Sequence, residues 1–369
     1  MKLLFAIKTL GHAGGAGGAE RVLAEVTAAL SARGHDVTVV SFDREDETDF
    51  YVFDTVKRAR IGGGSATAPT GPADTVVRMR RLRELARELR PDVAIGFLNS
   101  VYIPMAVALA GTGIPVIASE HTVYGHYRGR ALERLLMGFF HRRFSAITAI
   151  SDNVRLSFPP AIRCRMAVVP NPVMRPDHLA DPVGGESKTL LSVGRLHRVK
   201  DHGTLIAAFA RVAGRFPEWT LRIVGEGDLR KDLEAQVNRL GLAGRVELPG
   251  RTDDISSEYR SAQLHAITSH YESFGLATAE ALAHGVPAIG FAQCPGTNEL
   301  IEDGRNGILV SGAEREAALA GTLERLMASP ELRARLAKEG PATMERFSLD
   351  SVVDRWESIL RKVAGDRLM

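Results

Sequence analysis

The sequence is poor in cysteine. It has two cysteines among 369 residues, and Cys164 and Cys294 lie far apart. A pair at that separation provides no disulfide framework of the kind that stabilises small secreted domains. We therefore expect a reducing compartment and a cytoplasmic protein.

Long apolar segments, strong net charge and a collagen-like period are also absent. No stretch of about 20 apolar residues occurs, so we expect no transmembrane helix. The formal net charge is +3, which gives no reason to expect a nucleic-acid partner. The 36 glycines follow no Gly-X-Y period, which excludes a collagen-like fibre. Glycine in this amount favours a fold with many tight turns.

The chain is long enough for two domains. Its 369 residues exceed the roughly 250–300 at which a single hydrophobic core stops growing. The basic and apolar N-terminus has features of a signal peptide, but Lys8 interrupts it and a glycine loop follows. We interpret residues 2–8 as a buried first strand.

Strand and helix patterns alternate along the first half of the chain. Short apolar segments separate helical periodicities at residues 19–32 and 75–90, which predicts repeated β-α-β units. Residues 170–188 are rich in proline and glycine and carry no periodicity, so they predict a linker. We place domain boundaries at residues 1–172, 173–348 and 349–369, and expect the last segment to be a helix that returns toward the first domain.

The same alternation restarts after the linker. Helices are predicted to begin at Asp201, Asp228 and Phe274, with Asp201 as a helix cap. Apolar strands in β-α-β order predict parallel sheets covered by helices on both faces. The expected fold is therefore α/β, with two Rossmann-like, doubly wound domains that face a cleft.

Ligands of doubly wound sheets bind beyond the carboxyl ends of the strands, and a glycine-rich loop at residues 11–18 follows the first strand. Glycines let the backbone approach a ligand, and the helix that follows attracts anions. Glu20 occupies the third glycine position of G-x-G-x-x-G, so the dinucleotide fingerprint fails. A flexible turn is the alternative interpretation.

Two later segments carry candidate chemistry. In VGRLHRVK, at residues 193–200, Arg195 and Lys200 can grip a diphosphate, although such cations are often only solvated surface residues. In SHYESFGLATAE, Glu280 can accept ribose hydroxyls, and free amides beside Gly275 can hold a phosphate. An unremarkable pair of glutamates, Glu272 and Glu280, is the alternative.

A fourth segment, CPGTNELIEDGRNG at residues 294–307, contains a predicted short helix over 297–301. Asn298 and Glu299 can orient a ligand there, but Thr297 can equally cap the helix, and we favour a structural role for most of the segment.

Together the segments resemble glycosyltransferase family 4, the retaining nucleotide-sugar glycosyltransferases of the GT-B fold, over nearly the whole chain. The E-x7-E spacing within ESFGLATAE is the most specific feature, and GGAERV is the next. The resemblance is carried by GGAERV at 17–22, SEH at 119–121, VPNPV at 169–173, GRL at 194–196 with Lys200, VGEG at 224–227 and ESFGLATAE at 272–280.

The resemblance implies roles for individual residues. It implies that Glu272 contacts the donor sugar and that Glu280 binds the ribose. Arg195 and Lys200 would neutralise the diphosphate, and His121 would lie beside the reacting sugar. The further donor-binding positions that it implies are Gly17, Gly18, Gly194, Gly225, Phe274, Gly275 and Leu276.

The resemblance also implies the reaction. A hexose would pass from a nucleotide diphosphate sugar, UDP first and GDP second, to a glycan or lipid-linked glycan with retained configuration. The sequence has no Asp-x-Asp, so we expect no metal ion and no cofactor besides the nucleotide sugar. Cys-Pro-Gly at residues 294–296 replaces the Gly-Gly common in the family, which leaves the donor sugar open.

Arginines concentrate in the first domain, where they predict contact with an anionic membrane on its cytoplasmic face. A solvated basic surface is the alternative, and sparse aromatic residues disfavour nucleic acid. One predicted helix carries Arg78, Arg80, Arg81, Arg83, Arg87 and Arg90, and an apolar segment at 135–140 is flanked by Arg128, Arg130, Arg134, Arg142 and Arg143.

Three other functions fit parts of the sequence. An epimerase or hydrolase acting on nucleotide sugars can share the fold, although the E-x7-E spacing favours transfer. A noncatalytic nucleotide-binding protein is a second alternative. It would be disfavoured if four side chains met in space, namely those of Arg195, Lys200, Glu272 and Glu280. A dinucleotide dehydrogenase is disfavoured by Glu20.

Overall fold

The computed structural model describes residues 1–11, 17–44, 46–62, 71–185 and 187–365. The chain divides into two compact units. The first comprises Met1–Pro172 and the C-terminal segment from Leu349, and the second comprises Val173–Ser348.

The first unit is built on a parallel sheet. Its strands are β1 (Lys2–Ile7), β2 (Asp36–Ser41), β3 (Lys57–Arg60), β4 (Val93–Phe97), β5 (Val116–Glu120), β6 (Ala146–Ala149) and β7 (Met166–Val168). Among the described residues they lie in the order β3-β2-β1-β4-β5-β6-β7. Residues 3–7 of β1 are buried, because this central strand pairs with β2 and β4 and helices cover the sheet.

The helices of the first unit lie between these strands. They are α1 (Gly18–Ala32), α2 (Pro72–Leu89), α3 (Asn99–Ala108), α4 (Ala131–Phe140), α5 (Asp152–Ser157) and α6 (Pro160–Arg163).

The second unit repeats the strand order of the first. Its strands are β8 (Lys188–Val193), β9 (Trp219–Val224), β10 (Val246–Gly250), β11 (Leu264–Ala266), β12 (Ala288–Phe291) and β13 (Gly307–Val310). They form a parallel sheet in the order β10-β9-β8-β11-β12-β13, which is the order of a doubly wound dinucleotide-binding domain. The prediction of two doubly wound parallel-sheet domains is confirmed.

The helices of the second unit pack on both faces of its sheet around a core that includes Phe209 and Trp219. They are α7 (His202–Ala213), α8 (Arg230–Arg239), α9 (Ile255–Arg260), α10 (Leu276–Ala283), α11 (Thr297–Leu300), α12 (Arg315–Ala328) and α13 (Pro330–Met344).

The C-terminal helix α14 (Leu349–Gly365) belongs to the first unit. Its Trp356 stacks on Phe97 with ring centroids 6.2 Å apart. Arg33 follows α1 and pairs with Asp350 at 3.1 Å. Apolar burial and ion pairs together attach the end of the chain to the β1–β4 region.

Several predicted helix starts are wrong. The helix predicted from Phe274 begins at Leu276, because Gly275 adopts a left-handed conformation at φ 96°. The helix predicted from Asp228 begins at Arg230. Asp201 precedes α7 at φ 51° and accepts the Thr204 hydroxyl at 2.8 Å rather than capping a backbone amide.

Three strands that the structure contains, and one predicted helix cap, also differ from the predictions. The edge strands β3, β7 and β13 were not predicted, and β3 has the cationic sequence KRAR rather than an apolar pattern. Such strands have one neighbour each, so less of their surface needs to be apolar. Thr297 is the first residue of α11 rather than its cap, and Gly296 precedes it at φ 82°.

Candidate functional site

Two glycine loops meet beyond the carboxyl ends of β8 and β9. The amide of Gly194 donates to the carbonyl of Val224 at 3.0 Å, and the amide of Leu196 donates to that of Glu226 at 2.9 Å. A Cβ added at Gly225, where φ is 148°, would overlap the carbonyl oxygen of Gly194. A side chain at Gly225 is therefore excluded, and the two loops pack backbone against backbone.

Lys200 lies between the loop at Gly194 and the predicted site residue Glu272. Its side-chain stem lies 3.5 Å from the position of a Cβ added at Gly194. Its Nζ lies 2.6 Å from Oε1 of Glu272, and the Ser269 hydroxyl donates to the same oxygen at 2.6 Å. The structure thus brings Gly194, Lys200 and Glu272 together within the second unit.

The start of α10 lies beside Glu272. Gly275 precedes the helix without a capping side chain, so the first helical amides have no intrahelical acceptor. Gly296 packs against the backbone of Glu272, which leaves no space for a side chain. Such a helix start attracts anions. The ring of Phe274 is buried and packs edge-on against Phe347 at 5.3 Å, so it contributes to the core.

Glu280 lies on α10, in the helix that Glu272 precedes. Its Oε2 accepts the Tyr259 hydroxyl at 3.0 Å, and Tyr259 is fully buried on α9. This contact restricts the orientation of the carboxylate. The spacing of Glu272 and Glu280 therefore places one carboxylate before the helix and one within it.

Arg195 directly follows the β8 loop glycine. Within the described part of the chain its guanidinium is exposed and forms no ion pair. A cation in this state differs from Lys200, which is held by Glu272, and it can reorient toward a charged ligand.

Two residues that were not predicted from the sequence, Arg315 and Thr268, hold the backbone around Lys200. Arg315 donates to the carbonyl of Thr268 at 2.6 Å, and its guanidinium lies 3.6 Å from the ring centroid of Phe291. The Thr268 hydroxyl donates to the carbonyl of Lys200 at 2.9 Å. Arg315 lies 115 residues from Lys200 in an ordinary charged segment, and no sequence signal distinguishes it.

Buried imidazoles lie beneath the same region. Burial, followed by the nearby charge of Lys200, lowers the pKa of His202 to about 4 and that of His265 to about 3. Both side chains are therefore uncharged at neutral pH, and they add no positive charge to the site.

A buried carboxylate organises the loop after β5 in the first unit. Glu120 is fully buried and accepts the hydroxyls of Tyr102 at 2.6 Å and Tyr127 at 2.5 Å. Its other oxygen accepts the amides of His121 at 3.0 Å and Thr122 at 2.9 Å, and the Thr122 hydroxyl at 2.8 Å. The five donors fix the conformation of the SEH segment.

His121 is held within this segment. Its Nε2 lies 3.1 Å from the Ser119 hydroxyl, and its ring lies against Phe97 with centroids 4.9 Å apart. Burial lowers the pKa of His121 to about 4, so the ring is uncharged at neutral pH. The other predicted catalytic residues lie in the second unit.

The first glycine loop is described only at its ends. Gly17 precedes α1 and Gly18 is the first residue of that helix, whereas residues 12–16 lie outside the described residues. Asp43 fixes the start of the loop, because it accepts the Thr9 hydroxyl at 2.6 Å and the Leu10 amide at 2.8 Å.

The predicted cationic face of α2 is wrong at Arg78. Its side chain is buried and its guanidinium lies 5.2 Å from the ring centroid of Phe42. Arg83 donates to the carbonyls of Ala108 and Ala110, and Arg90 lies beyond the helix end in a left-handed conformation. Arg78 and Arg83 therefore support the unit internally, whereas Arg80, Arg81, Arg87 and Arg90 are exposed.

The described residues contain neither a cluster of metal ligands nor a helix that could cross a membrane. No cluster of three or more His, Cys, Asp or Glu side chains in this part of the chain has an arrangement that would hold a metal ion. No helix among the same residues has the length and apolar character needed to cross a membrane.

Family comparison agrees with this geometry. The family described as glycosyl transferases group 1 matches residues 178–343, and glycosyltransferase family 4 matches residues 16–174. The chain therefore belongs to the group 1/family 4 glycosyltransferases. The prediction of a glycosyltransferase is confirmed.

Relatives of this glycosyltransferase match along its whole length. An uncharacterized glycosyltransferase of Haemophilus influenzae is 28% identical over 94% of this chain and 97% of its own. A Campylobacter jejuni α-1,4-N-acetyl-D-galactosaminyltransferase, named for a glycan on PP-undecaprenol, is 26% identical over 98% of this chain and 99% of its own.

Solved structures share the fold of this glycosyltransferase. HepE of Anabaena, crystallised with UDP and glucose, has a TM-score of 0.80 at 22% identity and covers 98% of this chain and 100% of its own. The outer core galactosyltransferase WaaB has a TM-score of 0.76 at 21% identity and covers 98% of this chain and 99% of its own. Both likenesses concern the fold.

Proposed function

We propose that this glycosyltransferase moves a hexose from a nucleotide diphosphate sugar to a glycan or lipid-linked glycan, with retained anomeric configuration. The observation that most supports it is the 2.6 Å contact between Lys200 and Glu272. This ion pair lies beside the side-chain-free loop at Gly194 and the uncapped start of α10. Cationic and amide donors are thus brought together beyond the carboxyl end of β8, which supports binding of a diphosphate there.

In this proposal the leaving diphosphate is stabilised by Arg195, Lys200 and the first amides of α10. Charge develops on that group as the glycosidic bond breaks, and preorganised donors aimed at developing charge lower the barrier. The proposal uses these groups in place of a metal ion. Glu280 binds the ribose, Glu272 contacts the donor sugar, and His121 contributes an uncharged imidazole beside the reacting sugar.

UDP is the first candidate for the nucleotide and GDP the second. Support for UDP comes from HepE, which was crystallised with UDP-glucose as well as with UDP. The hexose fits the fold relatives, which include a galactosyltransferase.

A lipid-linked acceptor is supported by the Campylobacter jejuni relative, whose name specifies a glycan on PP-undecaprenol. We further propose that the protein is cytoplasmic and contacts the inner face of the cell membrane peripherally. The support on this chain is α4, where exposed Leu132, Leu135 and Phe139 lie among arginines.

Donor screening tests the proposal. UDP, GDP and ADP sugars are compared by thermal shift with and without EDTA, and products are analysed with and without acceptor. Binding of one nucleotide sugar should raise the melting temperature by mass action, and transfer should persist in EDTA. Strict dependence on a divalent ion would contradict the metal-free proposal, and products formed without any acceptor would indicate hydrolysis or epimerisation.

Arg195→Ala tests the role of the exposed cation. We expect turnover to fall about 100-fold or more, because one cationic donor to the leaving group is lost. Arg211→Ala is the matched control, since Arg211 lies on α7 and pairs at the surface with Glu316 at 3.3 Å. Near-wild-type turnover of Arg195→Ala would remove this residue from the mechanism.

A further inference from the structure

A cavity of about 690 Å³ lies in the first unit among α2, α3 and α4. Small-molecule sites have volumes of about 300–1,000 Å³, so this cavity is large enough for a ligand. Leu82, Ile103 and Leu136 line it from three helices, and Phe42 and Leu132 extend the same wall. The wall is therefore apolar where the helices approach one another.

Positive charge lines the same cavity. Lys8, Arg78 and Arg130 line it together with the carboxylate of Glu133. Glu133 is held by the Asn99 side-chain amide at 2.6 Å and by Arg130 at 3.4 Å. Three cations and one carboxylate leave a net charge of about +2, and Arg78 is only 6% exposed. A buried guanidinium binds a phosphate oxygen more strongly than a solvated one does.

Backbone strain occurs at the wall of the cavity. Leu98 has φ 70° and ψ 151°, a region that residues other than glycine rarely occupy. Its amide donates to the carbonyl of Ser119 at 3.0 Å, which holds the strained conformation. Strained residues that the surrounding structure retains cluster at ligand sites.

The apolar wall continues to the surface along α4. Leu132 lines the cavity and is also 68% exposed, and Leu135 and Phe139 on the same helix are 70% and 62% exposed. Their spacing places them along one side of the helix. The flanking cations are Arg128, Arg134, Arg142 and Arg143.

We propose that this cavity binds a lipid diphosphate, with the diphosphate between Lys8, Arg78 and Arg130 and the isoprenoid chain along Leu132 and α4. The proposal rests on the proposed function, because it identifies the carrier end of a lipid-linked acceptor. Thr75, Asn99 and Ser100 also line the cavity, but a free glycan would leave the exposed apolar stripe of α4 without a partner. The predicted nucleotide-sugar residues Lys200 and Glu272 lie in the second unit.

Farnesyl diphosphate is a suitable probe, and its binding is measured by titration calorimetry on the full chain. We expect it to bind at least tenfold more tightly than inorganic pyrophosphate or farnesol, and UDP should not compete. Affinity equal to that of pyrophosphate, or displacement by UDP, would overturn the proposal. UDP binding is measured separately, so a failure of the donor site is distinguishable from a failure of this cavity.

Variants separate the cavity from general charge. Arg78→Met should weaken farnesyl diphosphate binding about tenfold or more, whereas Arg80→Met on the exposed side of α2 should not. Leu136→Trp should weaken binding by filling the cavity. Because Arg78 is buried, exposed Arg130→Met provides a second test if Arg78→Met fails to fold. Equal losses for Arg78→Met and Arg80→Met, or no loss for folded Leu136→Trp and Arg130→Met, would overturn the proposal.

Discussion

Glu120, Glu272 and Glu280 have different surroundings. Glu120 is buried and accepts five hydrogen bonds, Glu272 is paired with Lys200, and Glu280 accepts the Tyr259 hydroxyl. The number of donors already bound determines what each carboxylate can still do. Glu120 is saturated by protein donors and therefore suits a positioning role.

Replacement of Glu280 should mainly weaken donor binding. In Glu280→Ala we expect a raised KM for the nucleotide sugar with a smaller change in kcat, because a ribose contact persists from the ground state to the transition state. Steady-state kinetics measure both quantities. Tyr259→Phe is the control that removes the protein donor and keeps the carboxylate. A loss confined to kcat would contradict the ribose-binding role.

Glu120 should be important for the stability of the first unit. Glu120→Gln replaces an oxygen that accepts hydrogen bonds by an NH₂ group facing donors, and a hydrogen bond to a charged group contributes about 1.5–3 kcal/mol. We expect the midpoint of urea unfolding to fall clearly, and Tyr102→Phe, which removes one donor of five, to have a smaller effect. Equal midpoints for wild type and Glu120→Gln would show that the charge of Glu120 does not contribute to the stability of the first unit.

At the scale of elements, α2 and α4 differ in the side chains that they expose. On α2, Arg83 binds backbone carbonyls and Arg78 is buried. On α4, by contrast, the apolar side chains of Leu135 and Phe139 are exposed to solvent. An exposed apolar stripe among cations is typical of helices that lie on a membrane surface, so α4 is the better candidate for this contact.

Membrane contact through α4 should be lost when a negative charge is introduced into its apolar stripe. Leu135→Glu should reduce flotation with anionic phosphatidylglycerol vesicles at low salt, because it removes apolar area and repels the lipid. High salt should weaken wild-type flotation as well. Leu240→Glu, at a half-exposed position of the second unit, is the matched control. An absence of wild-type binding at low salt would contradict membrane contact.

At the scale of the whole molecule, each unit contains one of the two tryptophans and its own buried histidines. Trp356 and His121 belong to the first unit, and Trp219, His202 and His265 belong to the second. Burial holds the pKa of all three imidazoles below the ordinary value of 6.5. The tryptophans therefore provide a separate fluorescence signal for each unit.

The free energy of unfolding should decrease as pH falls from about 6.5 toward 4. In that range the unfolded chain binds protons that the folded imidazoles exclude, which lowers stability by about 2 kcal/mol per histidine at pH 5. Trp356→Phe leaves Trp219 to report the second unit. In this background His265→Gln should reduce the pH dependence, and exposed His178→Gln should not. If the pH dependence of the free energy of unfolding were unchanged in His265→Gln, its assignment to His265 would be contradicted.

The sequence by itself determined the fold class and the family. Alternating apolar strands and helical periodicities dictate parallel β-α-β units, because a fully buried strand is apolar throughout and its crossover helix is amphipathic. Several short motifs, of which the E-x7-E spacing of Glu272 and Glu280 is the most specific, carry the family resemblance that implied a glycosyltransferase. These signals are local, so they can be read without knowing which segments meet.

Tertiary structure alone decided contacts between distant segments. Lys200 pairs with Glu272, and Arg315 reaches Thr268, although no local pattern specifies either partner. The burial of Arg78 was also invisible in the sequence, because an arginine in a basic helix has the same local pattern whether it faces solvent or a cavity. Charge and burial depend on what packs opposite a residue, and only the folded chain determines that.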